Sequence, residues 1–442
     1  MLRAIVIILL IVMVTGCNHQ HLDAKWEMSQ FAILLGWASH GDHPTDEGKM
    51  EAIAKAGFNS VMWYDPNILD LAHKYGLKAL VQIKPPHLIS GLPKFREHPA
   101  NWGYYIGDEP APAEYPGMTS EVEATHQADP SHPAYVNCHG AHPTAPFLAA
   151  VPVKLLSYTG TYQWLWYNTP HYKKMEAFRI AGLAAGIPVI RWIYVTANPD
   201  VETWQLKNMR SENRKPDWSV HPPPPSDNAE KLRQSVYGSL CYGVKGIQWF
   251  TGAILFKYGT SNLNDCGKDV ATLNWELQKL GPTLMGLESV EVFHTPPLPR
   301  IAEDAAAVRQ LPVDYWARTD TPDLILGIFK DKQDNGYMMV ANRAIDGTRQ
   351  PVLSFPPDVT KVAMFNRDKG KWIDLPLSRI ENRAVVEFIL APGDGELLKV
   401  QTGDRSNVYI RKARPDPRLQ QWREEFEKHK GKAAELSPDQ AE

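Results

Sequence analysis

Two acidic residues stand side by side at the end of an apolar run, Asp108 and Glu109, in the stretch Trp102-Gly-Tyr-Tyr-Ile-Gly-Asp-Glu-Pro110. A carboxyl group in that position can protonate a leaving oxygen, activate water or attack a carbon. Other apolar runs end in aromatic and amide side chains: Trp37, Trp63 before Asp65, Tyr105, Asn137, Trp192, and Gln248 beside Trp249. Tyr162 and Trp164 follow a further such run. Flat rings that stack on C–H faces, beside amides and carboxylates that bond hydroxyls, are what a sugar ring requires. The chain has 14 Trp and 17 Tyr, and most of them belong to the core, so the ring-rich run ends are informative only as a group.

The elements that would position these groups alternate. Strands are expected at Phe31–Trp37, Ser60–Tyr64, Ala79–Ile83, Gly103–Ile106, Ala134–Asn137, Leu155–Tyr158, Val189–Tyr194 and Gly246–Phe250. Helical patterns lie between them at Asp46–Ala56, Pro66–Tyr75, Ser120–Gln127, Tyr172–Ala185 and Asn228–Tyr242. Near-continuous apolar strands suit a sheet covered on both faces. Eight units of this kind predict an α/β fold, a (β/α)8 TIM barrel over residues 28–285, whose active site is built at the strand C-termini. After Gly281-Pro282 the pattern changes to short strands and turn-rich links, including Leu324–Phe329, Tyr337–Ala341, Lys361–Phe365, Val385–Ile389 and Glu396–Val400. This predicts a small antiparallel β-sandwich over 286–402. Residues 403–442 form a charged tail with one helical stretch around Leu419–Lys430 and little to bury near the end.

Placed at the end of a barrel strand, the Asp108-Glu109 stretch resembles the fourth strand of the TIM-barrel glycoside hydrolase superfamily. Gly48–Val61, with Lys55-Ala-Gly-Phe-Asn59 before a strand, is similar to the first helix and second strand of those proteins. Gly243–Phe250 is similar to their eighth strand, and Ala391-Pro-Gly-Asp-Gly-Glu-Leu-Leu398 to the end of their appended β-domain. The resemblance spans most of residues 30–402. It implies a glycosidase with Glu109 as general acid/base, acting on a polysaccharide or glycoconjugate. The competing role for Asp108 and Glu109 is to cap and charge the start of a helix.

Glycoside hydrolysis also needs a second carboxylate, within about 5–10 Å of the first. The superfamily places it at the end of strand seven, where this chain has Trp192-Ile-Tyr-Val195 and no acid. Glu202 and Asp65 are the replacements, with Asp108 behind them. An inverting mechanism tolerates the wider separation this implies. The alternative is a non-catalytic carbohydrate-binding barrel that lacks the strand-seven nucleophile. His40, Asp42, His43, Asp65 and His139 invite a metal reading, but His40-Gly-Asp-His43 is not an established ligand spacing, so neither metal nor cofactor is expected. No Gly-x-Gly-x-x-Gly or Walker-type loop appears. A net charge of −3 gives no case for nucleic acid.

The N-terminus places the chain. Arg3, an apolar run over Ala4–Val14 and Val14-Thr-Gly-Cys17 resemble a bacterial lipoprotein signal, residues 1–17, with Cys17 as the lipidated residue. The run is short for a membrane span, and no later one is long enough. An exported protein held to the cell envelope by its lipid anchor is expected. Cys138, Cys241 and Cys266 remain, an odd number in no zinc spacing. Oligomeric state is not legible.

Overall fold

The computed structural model describes residues 26–38, 45–82, 95–140, 144–159, 171–195, 229–250, 255–257, 260–403, 409 and 416–430. Eight parallel strands close into a barrel in sequence order: β1 (Ala32–Leu35), β2 (Ser60–Trp63), β3 (Lys78–Gln82), β4 (Asn101–Asp108), β5 (Ala134–His139), β6 (Leu156–Thr159), β7 (Val189–Tyr194) and β8 (Gly246–Phe250), with β8 pairing back onto β1. Helices α1 (Asp46–Lys55), α2 (Leu69–Lys74), α3 (Tyr115–Ala128), α4 (Thr144–Ala150), α5 (Tyr172–Ala185), α6 (Ala229–Cys241) and α7 (Asp265–Met285) belong to the barrel. The expected strands are all present. Helices α4 and α7 are additions to the expected set. Gly281 and Pro282 do not end a helix, because α7 runs through both to Met285. Gly281 serves packing there, since a Cβ on it would lie 2.8 Å from that of Phe31.

Period-two alternation sorts each strand's residues into two cores. Ala32, Leu34, Met62, Leu80, Trp102, Tyr105, Tyr135, Leu155, Ile190 and Trp192 fill the lumen. Their neighbours Ile33, Leu35, Val61, Val81, Tyr104, Val136, Tyr158, Ile193 and Ile247 pack outward under the helices. Both faces are buried, which is why the strands read as apolar throughout. At the N-terminal end Trp26 meets Trp102 edge-on, with ring centroids 6.4 Å apart. Gly57 and Gly186 follow α1 and α5 with φ of 76° and 70°, a left-handed backbone that ends each helix and sends the chain into the next strand.

The remainder is antiparallel. β9 (Glu288–His294), β10 (Leu324–Lys330), β11 (Gly336–Asn342), β13 (Val359–Asn366), β14 (Lys371–Asp374) and β17 (Gly395–Thr402) form a six-stranded sheet ordered β14-β13-β17-β11-β10-β9. It faces a three-stranded sheet of β12 (Val352–Phe355), β15 (Ser378–Ile380) and β16 (Arg383–Glu387) across a core that includes Leu326, Met338, Phe355 and Leu398. The other face of the large sheet, with Ile325, Phe329 and Met339, joins the barrel's outer core. Gly327 sits directly on α6; a Cβ there would come within 2.3 Å of the Cys241 carbonyl oxygen. Between β9 and β10 a short helix, α8 (Ala302–Ala307), packs on α5.

A charged cluster completes the seam between barrel and sandwich. Arg233 on α6 pairs with Glu276 on α7 at 2.7 Å and with Asp394 at 3.1 Å. Arg367, just past β13, reaches Asp394 at 2.8 Å, Glu396 at 2.7 Å and Glu276 at 3.1 Å. A last helix, α9 (Pro417–His429), lies on α4 and α5, where the Trp422 indole donates to Thr144 Oγ1 at 2.8 Å. Cys138 and Cys241 are buried free thiols.

Candidate active site

The C-terminal ends of the strands gather a floor of rings. Trp37, immediately after β1, adopts φ 52°, unusual for a bulky residue, and turns its indole over the lumen. Its ring centroid lies 5.3 Å from Tyr64, 5.3 Å from Tyr105 and 6.4 Å from Trp192. Trp192 continues to Phe250 at 5.6 Å, and Phe250 to Tyr194 at 4.5 Å. Aromatic side chains from β1, β2, β4, β7 and β8 therefore line one surface.

Beside the rings stands Asp108. Strand β4 carries a bulge after Tyr105: Tyr105 pairs with Tyr135, but Gly107 pairs with Val136 and Asp108 with Asn137. Asn137 follows the inward phase of Tyr135, so Asp108 shares the lumen side; the residue stays partly open to solvent at the strand end while its carboxyl is set into the mouth. Asn137 Nδ2 donates to Asp108 Oδ1 at 2.8 Å. Burial raises the Asp108 carboxyl above the ordinary range; the Asn137 hydrogen bond opposes this, and the Glu109 charge adds to it. Burial and then the Asp108 charge likewise push the Tyr64 hydroxyl upward.

Glu109 leaves the strand with φ 47°, its backbone N–H donating to the Asn137 carbonyl oxygen at 2.8 Å. Its charge reaches groups on both sides of the sheet: Tyr105 and Asp108 toward the lumen, Cys138 and Lys174 toward the helix layer. The Cys138 thiol, raised by burial and further by Glu109, is buried between sheet and helices. Lys174 on α5 is lowered by burial, while Asp304 and Glu109 act in the opposite direction. The bulge thus sets Asp108 beside Asn137 in the lumen, and Glu109, one residue on, leaves the strand.

Below the rings a polar ladder crosses the barrel. Asn137 Nδ2 also reaches Thr159 Oγ1 at 2.6 Å, and Ser157 Oγ donates to Asn137 Oδ1 at 3.1 Å. The Trp192 indole N–H points at Tyr135 Oη, 2.8 Å away, and at Ser157 Oγ, 2.9 Å away. The Tyr135 hydroxyl donates to Gln248 Oε1. Gln248 Nε2 is buried without a hydrogen-bond partner among the described residues.

Of the residues expected to share a cleft, Trp37, Tyr105, Asp108, Asn137, Trp192 and Gln248 come together. Trp63 does not, because it faces outward, 5.3 Å beneath the Lys49 ammonium of α1. Trp249 also faces outward, its indole N–H donating to Asn274 of α7 at 2.8 Å. Consecutive strand residues point to opposite faces, so Gln248 and Trp249 cannot both line the lumen. Asp65 caps a short 3₁₀ turn, accepting from the Asn67 backbone N–H at 2.9 Å. Glu202, Tyr162, Trp164, Cys17, His40, Asp42 and His43 lie outside the described residues. Among the described residues no three His, Cys, Asp or Glu side chains cluster as a metal site needs. Tyr64, Tyr135, Ser157, Thr159 and Phe250 join the site without having stood out in the sequence; the same alternation that excludes Trp63 and Trp249 selects them.

No family model matches the chain, and no curated protein matches it. Among solved structures it is similar to the β-galactosidase of the psychrophilic Marinomonas ef1, at 11% identity and TM-score 0.39, over 58% of this chain and 62% of that one. A family 51 α-L-arabinofuranosidase from Bifidobacterium longum aligns at 11% identity and TM-score 0.41, over 84% of this chain and 95% of that one. A bacterial fucosidase aligns at 8% identity and TM-score 0.45, over 84% of this chain and 83% of that one. These neighbours are glycoside hydrolases, but at this level of similarity the assignments of individual residues rest on the site alone.

Proposed function

We propose that the barrel mouth binds a carbohydrate and hydrolyses its glycosidic bonds. The observation that carries the reading is the pairing of an aromatic floor with a lumen-facing carboxyl, Asp108, whose proton affinity burial has raised. A carboxyl tuned upward is suited to protonate a leaving oxygen, and the rings to hold a sugar against it. The acid role that the sequence resemblance assigns to Glu109 passes in this proposal to Asp108. Glu202 or Asp65 supplies the second carboxylate, and an inverting course accommodates either.

The discriminating experiment measures reducing-end release from a panel of polymers by wild type, Asp108→Asn and Glu109→Gln. Loss of the general acid costs about 10²–10⁴-fold. That loss is expected in Asp108→Asn, with a smaller effect in Glu109→Gln. The reverse order returns the role to Glu109. The end of β7 carries no acid, and this favours one second reading, a binding barrel without turnover. Glycan-array binding by a wild-type protein that releases no reducing ends from any polymer would establish it.

The protein is further proposed to be exported and lipid-anchored through Cys17, which would hold the site where envelope or arriving polymers are met. Wild type should partition into a detergent phase and Cys17→Ala into the aqueous one; equal partitioning would refute the anchor.

A further inference from the structure

The polar ladder under the rings has one end whose direction is fixed. The Trp192 indole N–H donates and cannot accept. It occupies an acceptor position on both Ser157 Oγ and Tyr135 Oη, at 2.9 and 2.8 Å. Tyr135 sends its proton to Gln248 Oε1. Ser157 Oγ and Tyr135 Oη also meet each other; because the Asn137 amide oxygen only accepts, Ser157 is the donor in its contact with Asn137 Oδ1, 3.1 Å away. With its oxygen engaged there, the Asn137 amide must present its NH2 group to Asp108 and Thr159, at 2.8 and 2.6 Å. The Ser157 hydroxyl on β6 therefore engages one end of the amide whose other end meets the carboxyl on β4.

We propose that Ser157 is a positioning residue that acts on Asp108 through the orientation of the Asn137 amide. An ionised carboxylate only accepts, so an N–H pointed at it favours the ionised form. A flipped amide offers its oxygen instead, and only a protonated carboxyl can bond that. Holding the NH2 end toward Asp108 offsets part of the effect of burial and keeps the group able to release its proton. The other groups around Asp108 are Tyr64 from the end of β2, Tyr105 and Glu109 from β4, and Tyr135 from β5. Of the side chains named, Glu109 and Asp108 carry the negative charges, and neither Ser157 nor Asn137 titrates. A shift produced at Ser157 must therefore pass through the amide.

The role in turnover rests on the hydrolase reading, whereas the titration does not. The test follows the Asp108 carboxyl carbon by NMR across pH in full-length protein labelled at aspartate. In Ser157→Ala the Asp108 midpoint should rise by about half to one pKa unit, the effect of replacing one favourable hydrogen bond. Ser157→Thr, which keeps the hydroxyl, should restore it. In wild type the Asn137 side-chain NH2 resonances should move with the same midpoint, a measurement that stands if the Ala variant does not fold. An unchanged midpoint in folded Ser157→Ala, or Asn137 resonances indifferent to Asp108, would overturn the proposal. If the shift occurs while no polymer is cleaved, the hydrolase reading fails and the positioning role stands. Cleavage without the shift removes the positioning role and leaves the hydrolase reading in place.

Discussion

The barrel mouth and the seam beneath the sandwich both hold carboxylates among aromatic rings, yet they treat charge in opposite ways. At the seam, Glu276, Asp394 and Glu396 are matched by Arg233 and Arg367, each guanidinium shared between carboxylates. At the mouth, Asp108 meets an amide and lies near tyrosine hydroxyls, all neutral. Asp394, shared between two guanidinium groups, is held ionised against burial, which suits a joint between domains. A carboxyl with neutral partners can pass through both protonation states, as an acid in turnover must. Burial alone therefore does not mark a reactive carboxyl; its partners must be read with it.

The largest effect expected from this contrast is structural. Arg367→Ala leaves three carboxylates facing the single remaining guanidinium of Arg233 and should cost about 3–5 kcal/mol by urea unfolding. A loss below ~1 kcal/mol would undo the contrast, since the seam would then not depend on its pairs. Next comes a pH effect. Burial raises the Glu396 carboxyl to about 7, against the pull of Arg367, and the like charge of Asp394 adds to the rise. A raised carboxyl binds its proton more tightly in the folded state. Its contribution is therefore full below the ordinary carboxylate range and lost as pH rises through about 7. Wild type should thus lose stability from about pH 5 to 8.5, whereas Glu396→Gln should hold it. The gap at high pH is at most about 3 kcal/mol. Parallel thermal-melting curves for the two would show that the seam acts as simple pairs. The smallest effect belongs to the mouth. Trp192→Phe keeps a ring in the floor but removes the indole N–H, and should cost about 1–2 kcal/mol. A larger loss by the same unfolding assay would mean that the ladder supports the barrel as much as the site.

How far the sequence carries the reader differs between the fold and the site. The eight strands are legible because both faces of each are buried, so that apolar runs mark them directly. The long helix α7 is not, because Gly281-Pro282 is the ordinary punctuation of a helix end; only the contact with Phe31 explains the glycine. At the site, Trp37, Tyr105, Asn137, Trp192 and Gln248 are recognisable from residue type at strand ends. Trp63 and Trp249 are misplaced when type is counted without phase, and each faces a helix instead. Ser157 and Tyr135 carry no signal of their own. A serine and a tyrosine inside apolar strands look like tolerated exceptions until their partners on neighbouring strands are known.

The bulge in β4 reaches further than local geometry. Counting by twos from Tyr105 without it, Gly107 and Glu109 would face the lumen; with one extra residue, Asp108 does. The identity of the presented acid is therefore set by the bulge: closing it with every residue kept would exchange the two carboxylates, whereas deleting Ile106, the extra residue, would leave Asp108 opposite Asn137. Two chains aligned perfectly over Gly-Asp-Glu-Pro need not offer the same group to a ligand. In such a strand, the pairing register decides which acid is offered as much as the residue types do.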